Sequence, residues 1–112
     1  MARLTLRLTL DSGARIGPGR IMLLDGIDRT GSISAAARDL GMSYRRAWLL
    51  VDRLNQACRE PVVSTRYGGR HGGGAALTDF GRRLVAEFNA MQEEAREALA
   101  QRIATLERDT GP

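Results

Sequence analysis

At 112 residues, 43% of them hydrophobic and 27% charged, the chain has the size of one folded domain with a modest core, and its composition excludes a disordered or low-complexity protein. A single Cys and a single His exclude an internal disulfide and leave too few ligands for a structural zinc site, and no apolar run approaches the roughly 18 residues of a membrane span. The formal charge of +4 is unevenly placed: residues 1–83 hold 14 Arg against 7 acids, residues 84–112 hold 3 Arg against 6, so a basic body carries an acidic tail.

Residues 3–10 (RLTLRLTL) alternate strictly, with Leu4, Leu6, Leu8 and Leu10 on one face and Arg3, Thr5, Arg7 and Thr9 on the other. This is the period of a half-buried strand, which needs a partner later in the chain. Asp11, Ser12 and Gly13 end it. The segment has neither the apolar block nor the cleavage site of a secretion signal, so a cytoplasmic location is expected.

Pro18 opens a first helix through Ile21, Leu24 and Ile27, and Gly31 closes it. Ser32 or Ser34 caps a second helix through Ala35, Ala36, Ala37 and Leu40, with Gly41 as a left-handed stop. Ser43 caps a third helix that reaches about Cys58, and Pro61 forbids its continuation. Residues 62–66 and 75–77 read as two strands of a hairpin around a glycine-rich tip, Gly68 to Gly74. Thr78 caps a last helix, on which Phe80, Leu84, Phe88, Met91, Ala95, Leu99, Ile103 and Leu106 recur every three or four residues. Nearly thirty residues at 1.5 Å each make a rod of about 45 Å, longer than a body of about 30 Å, so the helix should overshoot its own core.

The expected fold is mainly α with small β: a winged helix-turn-helix over residues 1–112, with an N-terminal strand, a hairpin wing and a long helix over 78–108. Small alanines let two helices approach, Gly41 permits the sharp turn, and Ser43 leaves a helix N-terminus open to a phosphate. In the third helix Ala47, Leu50, Val51, Leu54 and Cys58 share the core arc, Arg45, Leu49, Asp52, Arg53 and Gln56 lie opposite, and Tyr44, Arg46 and Trp48 lie near the edges. Trp48 is read as a packing residue, and Cys58 as a small buried apolar one.

The candidate DNA contacts are therefore Ser43, Tyr44, Arg45 and Arg46 at the start of the third helix, with Leu49 toward a thymine methyl. Ser34 and Arg38 lie one turn apart on the second helix, toward the DNA backbone, although Arg38 is equally read as a solvated charge near Asp39. Arg66, Arg70 and His71 lie in the wing. The candidate dimerisation residues are Leu84, Phe88, Met91, Ala95, Leu99, Ile103 and Leu106, whose exposed stripe calls for a second copy. An all-arginine basic complement suits phosphate and guanine, although a GC-rich genome explains it more simply. The glycines do not form a phosphate-binding loop of the GxxxxGK[ST] type, since there is no Lys, and no paired carboxylates or Ser-His-Asp order support catalysis. No enzyme activity, metal or cofactor is expected.

The run GSISAAARDLGMSYRRAWLLVDRLNQ, followed by GGRHGGGAALTDFGRRLV, resembles the N-terminal DNA-binding domain of the ModE family of molybdate-responsive regulators. LTLRLTL and GPGRIMLLDGI fit that domain as well, and residues 32–43 are similar to the LysR-type helix-turn-helix. The resemblance covers roughly residues 3–100 and implies a dimer on palindromic operators, often near molybdate-transport genes. It places Ser43, Tyr44, Arg45, Arg46 and Trp48 in the family's recognition helix and Arg70 in its wing. Full-length members carry molybdate-binding domains after the long helix, so residues 1–112 are expected to act with a separate effector-binding protein or as a stand-alone regulator. The expected partners are thus double-stranded DNA and a second copy of the chain, with no membrane. A winged-helix adaptor that binds another protein is the alternative reading.

Overall fold

The computed structural model describes residues 2–66 and 74–111. Its elements run β1 (Leu8–Thr9), β2 (Arg15–Ile16), α1 (Pro18–Thr30), α2 (Ile33–Asp39), α3 (Tyr44–Ala57), β3 (Val63–Arg66), β4 (Gly74–Leu77) and α4 (Asp79–Thr110). This is the winged helix-turn-helix order, and two small antiparallel hairpins accompany the helices.

The N-terminal strand is shorter than its alternation implies. Only Leu8 and Thr9 pair, opposite Ile16 and Arg15, because the partner strand has two residues before Gly17 and Pro18 commit the chain to α1. The alternation survives as burial all the same: Leu4, Leu6 and Leu8 are half-buried while Arg3, Thr5, Arg7 and Thr9 are exposed. Leu10, read on the same face, is 46% exposed, since the chain there turns through Gly13.

Helix α1 begins on Pro18 and stops at Gly31, whose φ of 71° is the left-handed cap that a side chain would strain. The Gly31 carbonyl accepts from the Ala75 N–H at 2.9 Å, which ties the turn between α1 and α2 to the wing hairpin. Of the two serines that could cap α2, Ser32 does so, its hydroxyl accepting the Ala35 N–H at 3.0 Å. A Cβ on Gly26 would stand 3.0 Å from that of Ala36, so small residues on both helices set their close approach. Gly41, at φ 67°, carries the turn into α3, and Ser43 caps that helix by accepting the Arg46 N–H at 3.1 Å.

One hydrophobic core joins all the helices. Leu23, Leu24, Ile27, Ala36, Ala37, Ala47, Leu54, Val62 and Phe88 are essentially withdrawn from water, and no polar side chain is buried with them among the described residues. Helix α4 starts on Thr78, whose hydroxyl accepts the Gly81 N–H at 2.9 Å and donates to the Pro61 carbonyl at 2.6 Å. There is no room for a side chain at Gly81, where a Cβ would run into the Val62 carbonyl oxygen. The 32 residues of α4 make a rod of about 48 Å in a molecule 59 × 30 × 19 Å, so its C-terminal half projects beyond the core. No helix among the described residues is long and apolar enough to cross a membrane.

Candidate nucleic-acid interface

Helix α3 separates its residues by face as its periodicity requires. Ala47, Leu50, Val51 and Leu54 are buried in the common core, while Cys58 just past the helix end is half-buried against the same core. Burial pushes the Cys58 thiol above its ordinary range, away from a reactive thiolate. On the opposite side Arg45, Arg53 and Gln56 are exposed, with Leu49 and Asp52 half-buried between them. The exposed start of the helix, Ser43 to Arg46, is unobstructed by any other described element that hydrogen-bonds to its side chains, apart from the Ser43 cap itself.

Trp48 departs from the packing role read from the sequence. It is 42% exposed, beside Tyr44 at 57%. At 100° per residue these two lie close to Asn55, on the edge of α3 that faces the wing. Asn55 fixes that edge: its amide accepts the Val62 N–H at 2.7 Å and the Val63 N–H at 3.2 Å, and donates to the Val63 carbonyl at 3.1 Å. Three bonds from one side chain thus hold the wing strand at a set distance from the recognition helix. Sequence periodicity alone gives no hint of this, because it places Asn55 as one more polar edge residue.

Ser34 and Arg38 are exposed on α2, one turn apart as expected. Asp39 pairs with Arg29 at 3.1 Å, not with Arg38. Arg66 is exposed at the end of β3, opposite Gly74. Arg70 and His71 lie outside the described residues.

The apolar stripe of α4 divides in two. Phe88 is 2% exposed in the chain's own core and Leu84 packs against that core, so these two, expected at a dimer interface, are occupied by the fold itself. Met91, Leu99 and Leu106 remain 38%, 37% and 63% exposed, with Ala95 and Ile103 half-buried among them. Part of the far end is covered by the chain itself: residues 2–4 line a depression together with Ile103, Leu106, Glu107 and Thr110.

The chain matches the family described as bacterial regulatory helix-turn-helix protein, lysR family, over residues 19–82, from the start of α1 to the start of α4. It is 41% identical over 111 residues to the molybdenum transport protein ModE of Azotobacter vinelandii, a match that covers 97% of this chain and 41% of that protein. It is 49% identical over 81 residues to the molybdenum-pterin-binding protein MopB of Rhodobacter capsulatus, covering 72% of this chain and 30% of the relative. It is also 38% identical over 92 residues to the DNA-binding transcriptional dual regulator ModE of Escherichia coli K12, covering 82% of this chain and 35% of the relative. The chain therefore spans well under half the length of these relatives, and the likeness lies in the helix-turn-helix and the elements around it. With the match reaching from α1 through the wing, the chain belongs to the lysR family of bacterial regulatory helix-turn-helix proteins, with ModE proteins among its relatives.

Proposed function

We propose that this chain is a sequence-specific regulator of transcription that binds duplex DNA as a homodimer, with α3 in the major groove and the wing against the neighbouring backbone. The observation that carries this reading is the division of α3, with four apolar residues in the core and Arg45, Arg46, Tyr44 and Trp48 all exposed on a helix whose first turn faces solvent. Arg45, at the centre of the exposed ridge, is placed to present its fork to a guanine edge; Arg46 and Ser43, at the helix start, suit phosphate. Ser34, Arg38 and Arg66 flank that ridge as backbone contacts.

The projecting half of α4 supplies the dimer contact in this reading, through Met91, Ala95, Leu99, Ile103 and Leu106. Leu99→Glu is expected to turn a dimer in sedimentation equilibrium into a monomer with an unchanged fold. The names of the relatives, molybdenum transport and molybdenum-pterin binding among them, make genes of molybdenum uptake or use the proposed targets.

The test is selection of duplexes from a random library, followed by binding of the winner and of a mixed-sequence duplex. Arg45→Ala is expected to lower affinity for the winner by about 1–3 kcal/mol while changing mixed-sequence binding little. Failure to enrich any sequence, with no binding at low salt, would count against the proposal and in favour of a protein-binding adaptor.

A further inference from the structure

Five arginines from three separate parts of the chain converge beside α3, on the edge away from the wing. Arg20, in the first turn of α1, is held below its ordinary pKa by partial burial and by the charges of Arg15, Arg46, Arg53 and Arg7. The geometry agrees. One open depression of about 400 Å³ is lined by Arg7, Arg15, Arg20 and Arg46, and a second of about 390 Å³ by Arg15, Arg20 and Arg53. Neither depression has a carboxylate in its wall.

This concentration of like charge is not compensated within the described chain. The ion pairs among the described residues use Arg29, Arg82, Arg83 and Arg96, and none of the five. An arginine in the first turn of a helix also opposes the positive end of the helix dipole, and α1 has no acid there to offset it. The fold therefore bears a repulsion that an external polyanion would relieve.

The position of the cluster indicates which polyanion. The wing strand is fastened to one edge of α3 through Asn55, and Arg46 and Arg53 lie on the other, with the Arg45 ridge between them. A helix seated in a major groove has one phosphate backbone on each side. The seven steps from Arg46 to Arg53 rise about 10 Å along that side of the helix, enough to reach more than one phosphate of the strand beside it. We infer that Arg7, Arg15, Arg20, Arg46 and Arg53 form a second phosphate-binding flank, which grips the DNA strand on the side of α3 opposite the wing and extends the footprint onto the N-terminal hairpin. This inference rests on the DNA-binding reading of α3 and adds a contact surface outside the helix-turn-helix and wing.

The experiment compares the parent chain, the triple variant Arg7→Gln, Arg15→Gln, Arg20→Gln, and a control that loses the same charge from the arm, Arg96→Gln, Arg102→Gln, Arg108→Gln. Affinities for a mixed-sequence duplex and for a library-selected duplex are measured across a range of salt. The triple variant is expected to flatten the plot of log affinity against log salt by about two to three units and to weaken both duplexes by the same factor, about tenfold or more at low salt. The control keeps the parent's slope. Equal slopes for parent and triple variant, or equal losses in triple variant and control, overturn the flank while leaving α3 as the reading helix. Loss of preference for the selected duplex with mixed-sequence binding retained overturns it too, because the arginines would then read bases. A parent that binds neither duplex at low salt overturns the DNA-binding reading itself. Micromolar saturation of the parent by inorganic phosphate, abolished in the triple variant, assigns the cluster to a free oxyanion and overturns the flank.

Discussion

The two edges of α3 are built on opposite principles. On the wing edge, Asn55 places three hydrogen bonds on the buried strand start at Val62 and Val63, and Gly81 lets α4 close directly over the Val62 carbonyl. The backbone N–H and C=O groups of Val62 and Val63 are satisfied inside the molecule. On the other edge, Arg20 lies among four more arginines with no acid in the walls between them. The first edge is made for rigidity, and its backbone bonding is complete in the isolated chain. The second is electrostatically incomplete, and a region that repels itself in isolation is where a ligand of opposite charge gains most. Removing a group should therefore destabilise the fold on the wing edge and relieve it on the arginine edge.

The largest effect is expected from Gly81→Ala. The added methyl meets backbone, which cannot rotate away, so either the start of α4 or the strand leading to the wing must move; a loss of about 3 kcal/mol or more is expected in denaturant unfolding. Asn55→Ala comes next, at about 2–3 kcal/mol, because it strands two buried N–H groups and a carbonyl instead of removing a pair cleanly. Since Asn55 also sets the spacing of wing and helix, DNA affinity should fall at temperatures where the variant is still folded. The smallest effect, and of opposite sign, is expected from Arg20→Gln. Loss of one like charge should raise the melting temperature by about a degree or two at low salt, and the gain should vanish in concentrated salt as the repulsion is screened. A destabilised Arg20→Gln would mean that the arginine edge, too, is internally satisfied, and the contrast would fail.

Much of this architecture is legible in the sequence because it depends on local rules. Pro18, Gly31, Ser43, Gly41 and Thr78 mark helix ends through their own backbone and side-chain chemistry, and the helix bounds follow from them. The core face of α3 follows from a period of 3.6. What was not legible depends on contacts distant in sequence. Alternation over residues 3–10 overstates the pairing because it reports burial, not the length of the partner strand. Phe88 sits on the same stripe as the exposed residues of α4, and a stripe of apolar residues does not say where the chain's own core ends and exposed surface begins. Asn55 and Arg20 are not recognisable as site residues in the sequence for the same reason: each takes its role from neighbours that the fold supplies. A trace of the second was present in the sequence, in an arginine rather than an acid in the first turn of α1.

If DNA meets the exposed surface of α3 as proposed, the single tryptophan of the chain, Trp48, reports on that surface directly. Its fluorescence should be followed while a library-selected duplex is added, with binding scored independently by anisotropy of labelled DNA. Trp48 emission is expected to change in step with binding, and the indole to become shielded from acrylamide. Saturated DNA binding with Trp48 emission and acrylamide access unchanged would place the duplex elsewhere on the molecule and rule out α3 as the reading helix.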